Sequence, residues 1–185
     1  MRSSSVPLLR HPASPGASLP LAIDARCTVD ADGALEVVVV PAAGDATRVD
    51  GLWRHTCCEV FVGHAGGPDY LEFNLAPSGA WAAYGFAAYR TPQPVPPLAA
   101  PSITMTHAPG ELELRARLDP ALWACLEGPV TTLHVGLTAV IEGRDGALSY
   151  YALRHPLEQA DFHDARGFAL HLERPAPPPR PGAGR

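Results

Sequence analysis

The sequence predicts an all-β protein, an antiparallel β-sandwich of the immunoglobulin-like or jelly-roll kind with one short helix. Three observations support this fold class. Many segments alternate apolar and polar residues with the two-residue period of a strand. Turn dipeptides such as Gly66-Gly67 and Asp145-Gly146 separate these segments at hairpin spacing. Helical segments do not alternate with the strands, which argues against a parallel sheet.

Strands are expected where the alternation is clear. In ELELRARLD, leucine and alanine take one face of the strand and charged residues take the other. TTLHVGLTAVIE is a longer segment with its aliphatic residues in phase. The predicted strands cover residues 34–41, 57–63, 70–76, 79–90, 111–119, 131–142, 148–154 and 168–173.

One short helix is expected after the fifth of these strands. Asp119 is a residue type that caps helix N-termini, and Pro120 suits the first helical position. The residues ALWACLE follow, and Gly128 ends the segment.

The chain of 185 residues is long enough for one domain. We expect a flexible N-terminal segment at 1–18, a sandwich domain at 19–173, and a disordered proline-rich tail, RPAPPPRPGAGR, at 174–185. A second proline-rich stretch, TPQPVPPLAAP at 91–101, is expected to be an extended connection inside the domain.

Composition and charge exclude several classes of function. All 14 residues in the Lys+Arg count are Arg, so no lysine is present for a Schiff base, a pyridoxal-phosphate linkage or a P-loop. The net charge of −5 argues against nucleic acid or an anionic membrane as partner. No apolar run suits a membrane span or a signal sequence, so we expect a cytoplasmic protein.

The four cysteines, Cys27, Cys57, Cys58 and Cys125, form no metal or redox motif, because no C-x-x-C spacing occurs. Cys57 and Cys58 are neighbours and point to opposite faces of a strand, so they are not expected to bond to each other. We expect small buried side chains in a reducing compartment. A reactive Cys57 beside His55 is the alternative.

The hairpin formed by the second and third predicted strands collects unusual residues on one face. Across the loop at 64–69, we expect Glu59 to pair with Asn74 and Phe61 with Glu72. The face that these residues share, together with a tyrosine, combines carboxylates, an amide and rings, which is unlike an ordinary solvent-exposed face. The opposite, core face is expected to contain Cys58, Val60, Val62, Leu71, Phe73 and Leu75.

The next predicted strand, GAWAAYGFAAYR, separates its rings by alanine and glycine. Small residues beside large rings leave grooves and add little packing, as a shallow binding surface requires. A second hydrophobic layer over the sheet is the alternative. The rings are Trp81, Tyr84, Phe86 and Tyr89.

Residues 152–164, ALRHPLEQADFHD, form the densest polar cluster, at the end of a strand and in the loop that follows. Loops carried on a rigid sandwich commonly hold binding sites. The cluster includes Arg154, His155, Asp161 and His163, and two histidines could ligate a metal or a haem iron.

Motifs of common enzymes are absent, including G-x-S-x-G, H-E-x-x-H and G-x-G-x-x-G. Glu59 and Glu72 could form a catalytic carboxylate pair. Such pairs more often bind sugar hydroxyls, arginine or a hard cation. We therefore expect a non-catalytic protein, with an enzyme using Glu59, His155 and His163, with or without a metal, as the alternative.

Three segments carry a resemblance to a known family. They are LWRHTCCEVFV at 52–62, YLEFNLAPSGAWAAYGFAAYR at 70–90, and YALRHP followed by DFH within 151–163. Through them the chain resembles the bacterial DOMON-like proteins, which are related to the family-nine carbohydrate-binding modules, over residues 21–173. The resemblance implies a β-sandwich that binds a ligand on one sheet or at its loop end.

Characterised relatives bind sugars or haem, so the resemblance implies a non-catalytic module for a carbohydrate or sugar-derived small molecule. Rings would stack on sugar faces, and carboxylates, amides and arginine would bind hydroxyls. The expected ligand-binding residues are Trp53, Arg54, His55, Glu59, Glu72, Asn74, Trp81, Tyr84, Tyr89, Arg90, Arg154, His155 and His163.

No cofactor and no metal are expected. Arg54, His55 and Thr56 replace an acidic pair that is common in the carbohydrate modules, which argues against their calcium. A haem-binding electron-transfer domain is the alternative, with Met105 and His163 as the pair to test first. A domain that docks a protein partner without a small ligand is a further alternative.

Overall fold

The computed structural model describes residues 5–14, 23–39, 48–95, 97–108, 111–143 and 145–175. These residues contain three short 3₁₀ helices, at Leu52–Arg54, Pro120–Ala124 and Ala165–Gly167. The strands, in chain order, are β1 (Ser5–Pro7), β2 (Leu9–Arg10), β3 (Asp24–Val29), β4 (Leu35–Val39), β5 (Cys57–His64), β6 (Tyr70–Leu75), β7 (Trp81–Ala88), β8 (Thr91–Gln93), β9 (Ser102–Ala108), β10 (Glu111–Leu118), β11 (Thr132–Glu142), β12 (Leu148–Ala152) and β13 (Leu170–Glu173).

The strands form two antiparallel sheets, as the alternation predicts. One sheet has five strands in the order β1-β3-β4-β10-β9. The other has eight, in the order β2-β12-β11-β5-β6-β7-β8, with β13 also paired to β11. The predicted all-β sandwich is therefore confirmed.

The expected hairpin register is also confirmed, because Glu59 pairs with Asn74 and Phe61 with Glu72. The expected short helix is a 3₁₀ helix, Pro120–Ala124, and the side chain of Asp119 accepts a hydrogen bond from the backbone N–H of Ala121 at its start.

Five strands lie outside the predicted ones. In the segment expected to be flexible, β1 pairs with β3 and β2 pairs with β12. In the proline-rich stretch expected to be a connection, β8 pairs with β7 at the sheet edge, a position that tolerates proline. The other two are β3 and β9. Residues 176–185 of the expected proline-rich tail lie outside the described residues.

The core lies between the sheets. It buries the expected face of the β5–β6 hairpin, including Val60 and Phe73, against residues of the five-stranded sheet such as Val37 and Leu114. Burial of these apolar side chains is the main stabilising contribution of the sandwich. None of the described helices is long and apolar enough to cross a membrane.

One connection covers the outer face of the eight-stranded sheet. β12 and β13 pair with different halves of β11, along the edge that β5 does not occupy. The segment joining them, residues 153–169 and hereafter the cover segment, packs on that face. The ring of Phe168 stacks on Phe61 with centroids 5.6 Å apart.

Gly136 allows this close approach. A Cβ atom at Gly136 would lie 2.8 Å from Cδ1 of Phe168, so a larger residue would push the ring away.

The described cysteines are free thiols, and three of them are buried. Burial raises the pKa of Cys57 well above its ordinary value, and the nearby carboxyl of Glu59 raises it further. Burial likewise raises the pKa of Cys58 to about 12. The expectation of buried thiols holds for Cys27, Cys57 and Cys58, whereas Cys125 is partly exposed. Burial disfavours the thiolate of Cys57, which argues against the alternative of a reactive Cys57.

Candidate functional site

A cavity of about 420 Å³ lies between the outer face of the eight-stranded sheet and the cover segment. This volume falls within the range of small-molecule sites. The cavity is lined by Trp53, Glu59, Phe61, Glu72, Tyr84, Phe86, Arg90, Val140, Tyr150, Ala160, Phe162 and His163.

Two carboxyl groups form the floor of this cavity. Glu59 on β5 and Glu72 on β6 are diagonal neighbours, because Glu59 pairs with Asn74 and Glu72 with Phe61. They are only 4% and 5% exposed. Two buried carboxyl groups on one face are costly unless each is neutralised or hydrogen-bonded.

Glu59 is held in its neutral form at neutral pH. Burial raises its pKa to about 8, with a further contribution from the charge of Glu72. The hydroxyl of Thr138 donates a hydrogen bond to Oε2 of Glu59 at 3.2 Å. A protonated carboxyl can both donate and accept a hydrogen bond, so Glu59 can pair with a hydroxyl in either sense.

Glu72 is supported from behind by Asn74, whose Nδ2 donates to Oε1 at 2.8 Å. Burial raises the pKa of Glu72, and the hydrogen bond from Asn74 and the charge of Arg90 act in the opposite direction. The Oε2 atom lies 3.7 Å from Nε2 of His163, beyond a direct hydrogen bond.

His163 reaches the cavity from the cover segment and is uncharged. Burial and the neighbouring charge of Arg90 lower its pKa to about 4. The hydroxyl of Tyr70 accepts a hydrogen bond from the backbone N–H of Arg90 at 3.1 Å and lies 2.8 Å from Nδ1 of His163. In the tautomer in which Nδ1 accepts the hydroxyl hydrogen of Tyr70, the ring hydrogen lies on Nε2, the atom nearer Glu72.

Asp161 ties the cover segment to the β7–β8 turn. Its Oδ1 accepts hydrogen bonds from Nη2 of Arg90 at 2.9 Å and from the backbone N–H of His163 at 3.0 Å, and Tyr89 donates its hydroxyl to Oδ2. Burial raises the pKa of Asp161, but these bonds lower it overall. Arg90 has a φ of 50°, a left-handed conformation that is uncommon for a non-glycine residue.

Aromatic rings form the walls and the mouth of the cavity. Trp53, which is 42% exposed, contacts Tyr84 edge-to-face with centroids 5.8 Å apart. The hydroxyl of Tyr84 donates to Asp50 at 2.9 Å. Phe86 stacks on Tyr70 at 4.8 Å. The mouth therefore offers an exposed ring surface above a polar floor.

The structure brings six of the expected ligand-binding residues to the cavity. They are Trp53, Glu59, Glu72, Tyr84, Arg90 and His163. Two further candidates act through these residues, since Asn74 bonds to Glu72 and Tyr89 bonds to Asp161, the partner of Arg90.

The sequence analysis expects Trp81 on the binding face, but the structure places it on the opposite face. It pairs with Leu75 and belongs to the hydrophobic core between the sheets. Tyr84 lies three residues further along β7, so the two side chains project from opposite faces. The two-residue period alone is enough to separate them.

Four other candidates also lie away from the cavity. His55 is exposed, with Nδ1 2.8 Å from Oε2 of Glu142, and its neighbour Arg54 is exposed too. Nε2 of His155 lies 2.7 Å from the backbone oxygen of Leu9. The remaining candidate, Arg154, is exposed and donates to a backbone oxygen at 3.5 Å.

Six lining residues were not among the expected ones: Phe61, Phe86, Val140, Tyr150, Ala160 and Phe162. The sequence analysis placed Phe61 on the face that carries Glu72 and named Phe86 among the rings of the next strand, but it did not choose either as a ligand-binding residue. Val140 and Tyr150 pair across β11 and β12. Ala160 and Phe162 belong to the cover segment, whose path carries no periodic signal.

The pair considered for haem is not brought together. Met105 lies on β9 of the five-stranded sheet, packed against the core. His163 lies on the outer face of the other sheet, against Phe61 and Phe86. Among the described residues, no group of three or more His, Cys, Asp or Glu side chains is placed to hold a metal ion.

Neither a protein-family model nor a curated protein sequence matches the chain. Solved structures do. One is a protein from Bacteroides uniformis that is proposed to bind carbohydrate, with a TM-score of 0.64, 15% identity, and coverage of 92% of this chain and 85% of that one.

Another is a family 9 carbohydrate-binding module from Caldicellulosiruptor kristjanssonii in complex with glucose. Its TM-score is 0.58, with 8% identity and coverage of 90% of this chain and 84% of that one. At these identities, the likeness shows a shared fold.

Proposed function

We propose that this protein is a non-catalytic module that binds a carbohydrate or a sugar-derived small molecule in the cavity over β5–β7. The observation that carries the proposal is the pair of buried carboxyl groups, Glu59 and Glu72, beneath an exposed aromatic mouth. A fold shared with a glucose-bound module supports it. The three resembling segments further favour a DOMON-like relative of the family 9 modules.

The floor of the cavity suits hydroxyl groups. Glu72 offers an acceptor, neutral Glu59 can donate or accept, and Nε2 of His163 can donate. Each hydroxyl of a sugar can both donate and accept a hydrogen bond, so neighbouring hydroxyls can satisfy these groups together. Their burial makes each such hydrogen bond stronger than it would be in water.

The mouth suits the apolar face of a sugar ring. Trp53 is partly exposed and braced by Tyr84. An exposed tryptophan has a rigid apolar surface with few torsions to fix, so little entropy is lost when a ligand stacks on it.

The arrangement favours binding over hydrolysis. Glycosidases place two carboxyl groups on either side of the scissile bond. Here both carboxyl groups project from the same face of neighbouring strands, so a ligand above the sheet meets them from one side. We therefore extend the proposal to a module without catalytic activity.

Isothermal titration calorimetry and ligand-observed NMR with glucose, cellobiose, N-acetylglucosamine and nucleotide sugars test this proposal. Trp53→Ala and Glu72→Gln are each expected to weaken binding by about tenfold or more, since about 1.4 kcal/mol corresponds to tenfold. Leu9→Ala and Glu142→Gln remove an exposed apolar residue and a carboxylate outside the cavity, and are the matched controls. Absence of binding across the panel, or equal losses in the controls, contradicts the proposal.

A further inference from the structure

We propose that the cavity recognises an ammonium group, so that the ligand is an amino sugar with a free amine. This inference rests on the proposed function and names the class of sugar. Three observations support it. The floor has two carboxyl groups, the nearby guanidinium of Arg90 is bonded to Asp161, and aromatic rings line the cavity.

The charges around the cavity are unbalanced. Glu59, Glu72 and Asp161 are acidic, whereas Arg90 is the basic residue in the lining, and His163 is uncharged. The guanidinium of Arg90 bonds to Oδ1 of Asp161 at 2.9 Å. The charge of Arg90 also lowers the pKa of Glu59 and Glu72, but its hydrogen bond goes to Asp161, and the described lining residues supply no second cation for the two carboxyl groups of the floor.

The hydrogen bonds to the floor leave room for a ligand. Among the described residues, Glu59 receives one hydrogen bond, from Thr138 to Oε2, although its side chain is nine-tenths buried and lines the cavity. Glu72 is bonded through Oε1 to Asn74, and its Oε2 faces His163 across 3.7 Å. One oxygen of each carboxyl group is thus available to a donor in the cavity.

An ammonium group matches these acceptors. It carries a positive charge and three hydrogen-bond donors. Its charge favours the ionised form of Glu59, so it can bond the carboxylates of Glu59 and Glu72 at once and offset their repulsion. Charge-assisted bonds of this kind are roughly twice as strong as neutral ones. In the described part of the chain, no third Asp, Glu, His or Cys is placed with the two carboxyl groups to hold a metal ion. Ca²⁺ normally takes about six to eight oxygen ligands, so the floor suits an organic cation better.

The walls also favour a cation. Trp53, Tyr84, Phe86 and Phe61 line the cavity around the floor. The faces of aromatic rings attract ammonium groups, most strongly where water is excluded. An uncharged His163 adds no repulsion.

Calorimetry at about pH 7 compares glucosamine with glucose and N-acetylglucosamine, which differ at one substituent. A second pair, choline and 3,3-dimethylbutan-1-ol, has the same shape with and without a fixed positive charge. Choline has no N–H, so this pair tests the attraction of the cavity for a positive charge apart from hydrogen bonding. The charged member of each pair is expected to bind at least about tenfold more tightly, a difference of about 1.4 kcal/mol.

Glu59→Gln and Glu72→Gln are each expected to remove most of this preference. Glu142→Gln removes an equal charge outside the cavity and is expected to leave the preference unchanged. Circular dichroism verifies that each variant is folded.

Equal affinity within both wild-type ligand pairs overturns the inference. If glucose still binds in that case, the proposed sugar-binding function stands and the amine preference fails. If choline binds and no sugar does, the ammonium site stands and the proposed function fails.

Discussion

The two faces of the β5–β6 hairpin are equally buried but chemically different. On the inner face, Val60 and Phe73 pack within the core between the sheets. On the outer face, Glu59 and Glu72 are 4% and 5% exposed under the cover segment. Strand geometry forces this division, because successive residues project to opposite sides.

The difference teaches that burial serves two purposes in this molecule. Apolar burial on the inner face stabilises the fold directly. Burial of carboxyl groups on the outer face costs free energy and perturbs the pKa values of Glu59 and His163. Groups held at such a cost inside a cavity point to a binding role.

The inner face is expected to dominate stability. Phe73→Ala deletes a ring that is 2% exposed and should lower the free energy of unfolding by about 3–5 kcal/mol, because it leaves a cavity in the core. Urea denaturation followed by tryptophan fluorescence measures this. A loss below about 1 kcal/mol would show that the inner face is not the principal core.

The second-largest loss of stability is expected where the cover segment packs on the sheet. Gly136→Ala places a Cβ atom 2.8 Å from the Phe168 ring, and is expected to cost about 1–3 kcal/mol and to weaken sugar binding. Gly143→Ala is the matched control, because its Cβ would meet the exposed side chain of Asp145, which can swing aside. Equal stability losses in the two variants would contradict the role given to Gly136.

Removal of one outer-face charge should stabilise the protein at high pH. The pKa of Glu59 is raised from 4.5 to about 8 in the folded state. The contribution of the neutral Glu59 to the free energy of unfolding is therefore fully present below pH 4.5 and is lost as pH rises through 8. Glu59→Gln abolishes this loss and should be more stable than wild type near pH 8, with a difference that grows by up to about 1.4 kcal/mol per pH unit between the two pKa values. Denaturant unfolding from pH 6 to 8 measures it.

The contribution of His163 to stability has the opposite pH dependence. Its pKa is lowered from 6.5 to about 4, so its contribution is present above pH 6.5 and is lost as pH falls through 4. Between pH 4.5 and 6.5, Glu59 and His163 change the free energy of unfolding in opposite directions as pH rises. Above pH 6.5, the slope of the free energy of unfolding against pH comes from the carboxyl groups. Identical slopes for wild type and Glu59→Gln above pH 6.5 would refute the assignment.

The smallest stability effect is expected at the mouth. Trp53 is 42% exposed and lies outside the core, so Trp53→Ala should change the free energy of unfolding by less than about 0.5 kcal/mol. Thermal unfolding checks this alongside the binding assay. A loss comparable to that of Phe73→Ala would make Trp53 a structural residue.

Local chemistry was sufficient to predict the sandwich and part of its site. Two-residue alternation predicted the register that pairs Glu59 with Asn74, and the preference of aspartate for N-caps predicted the turn at Asp119. The alternation of side chains along β7 also puts Trp81 and Tyr84 on opposite faces, although the prediction placed both on the binding face. Short strands such as β1, β2 and β8 escaped prediction because they are too short to show a period.

The sequence by itself determined which residues share a face, because strand periodicity is a property of the local backbone. Only the tertiary structure decided that the face with Glu59 and Glu72 is covered, since this follows from β12 and β13 pairing along the same side of β11. That pairing brings His163 and Phe162 from the cover segment to the carboxyl groups. Their convergence depends on contacts distant in sequence, which no local pattern encodes.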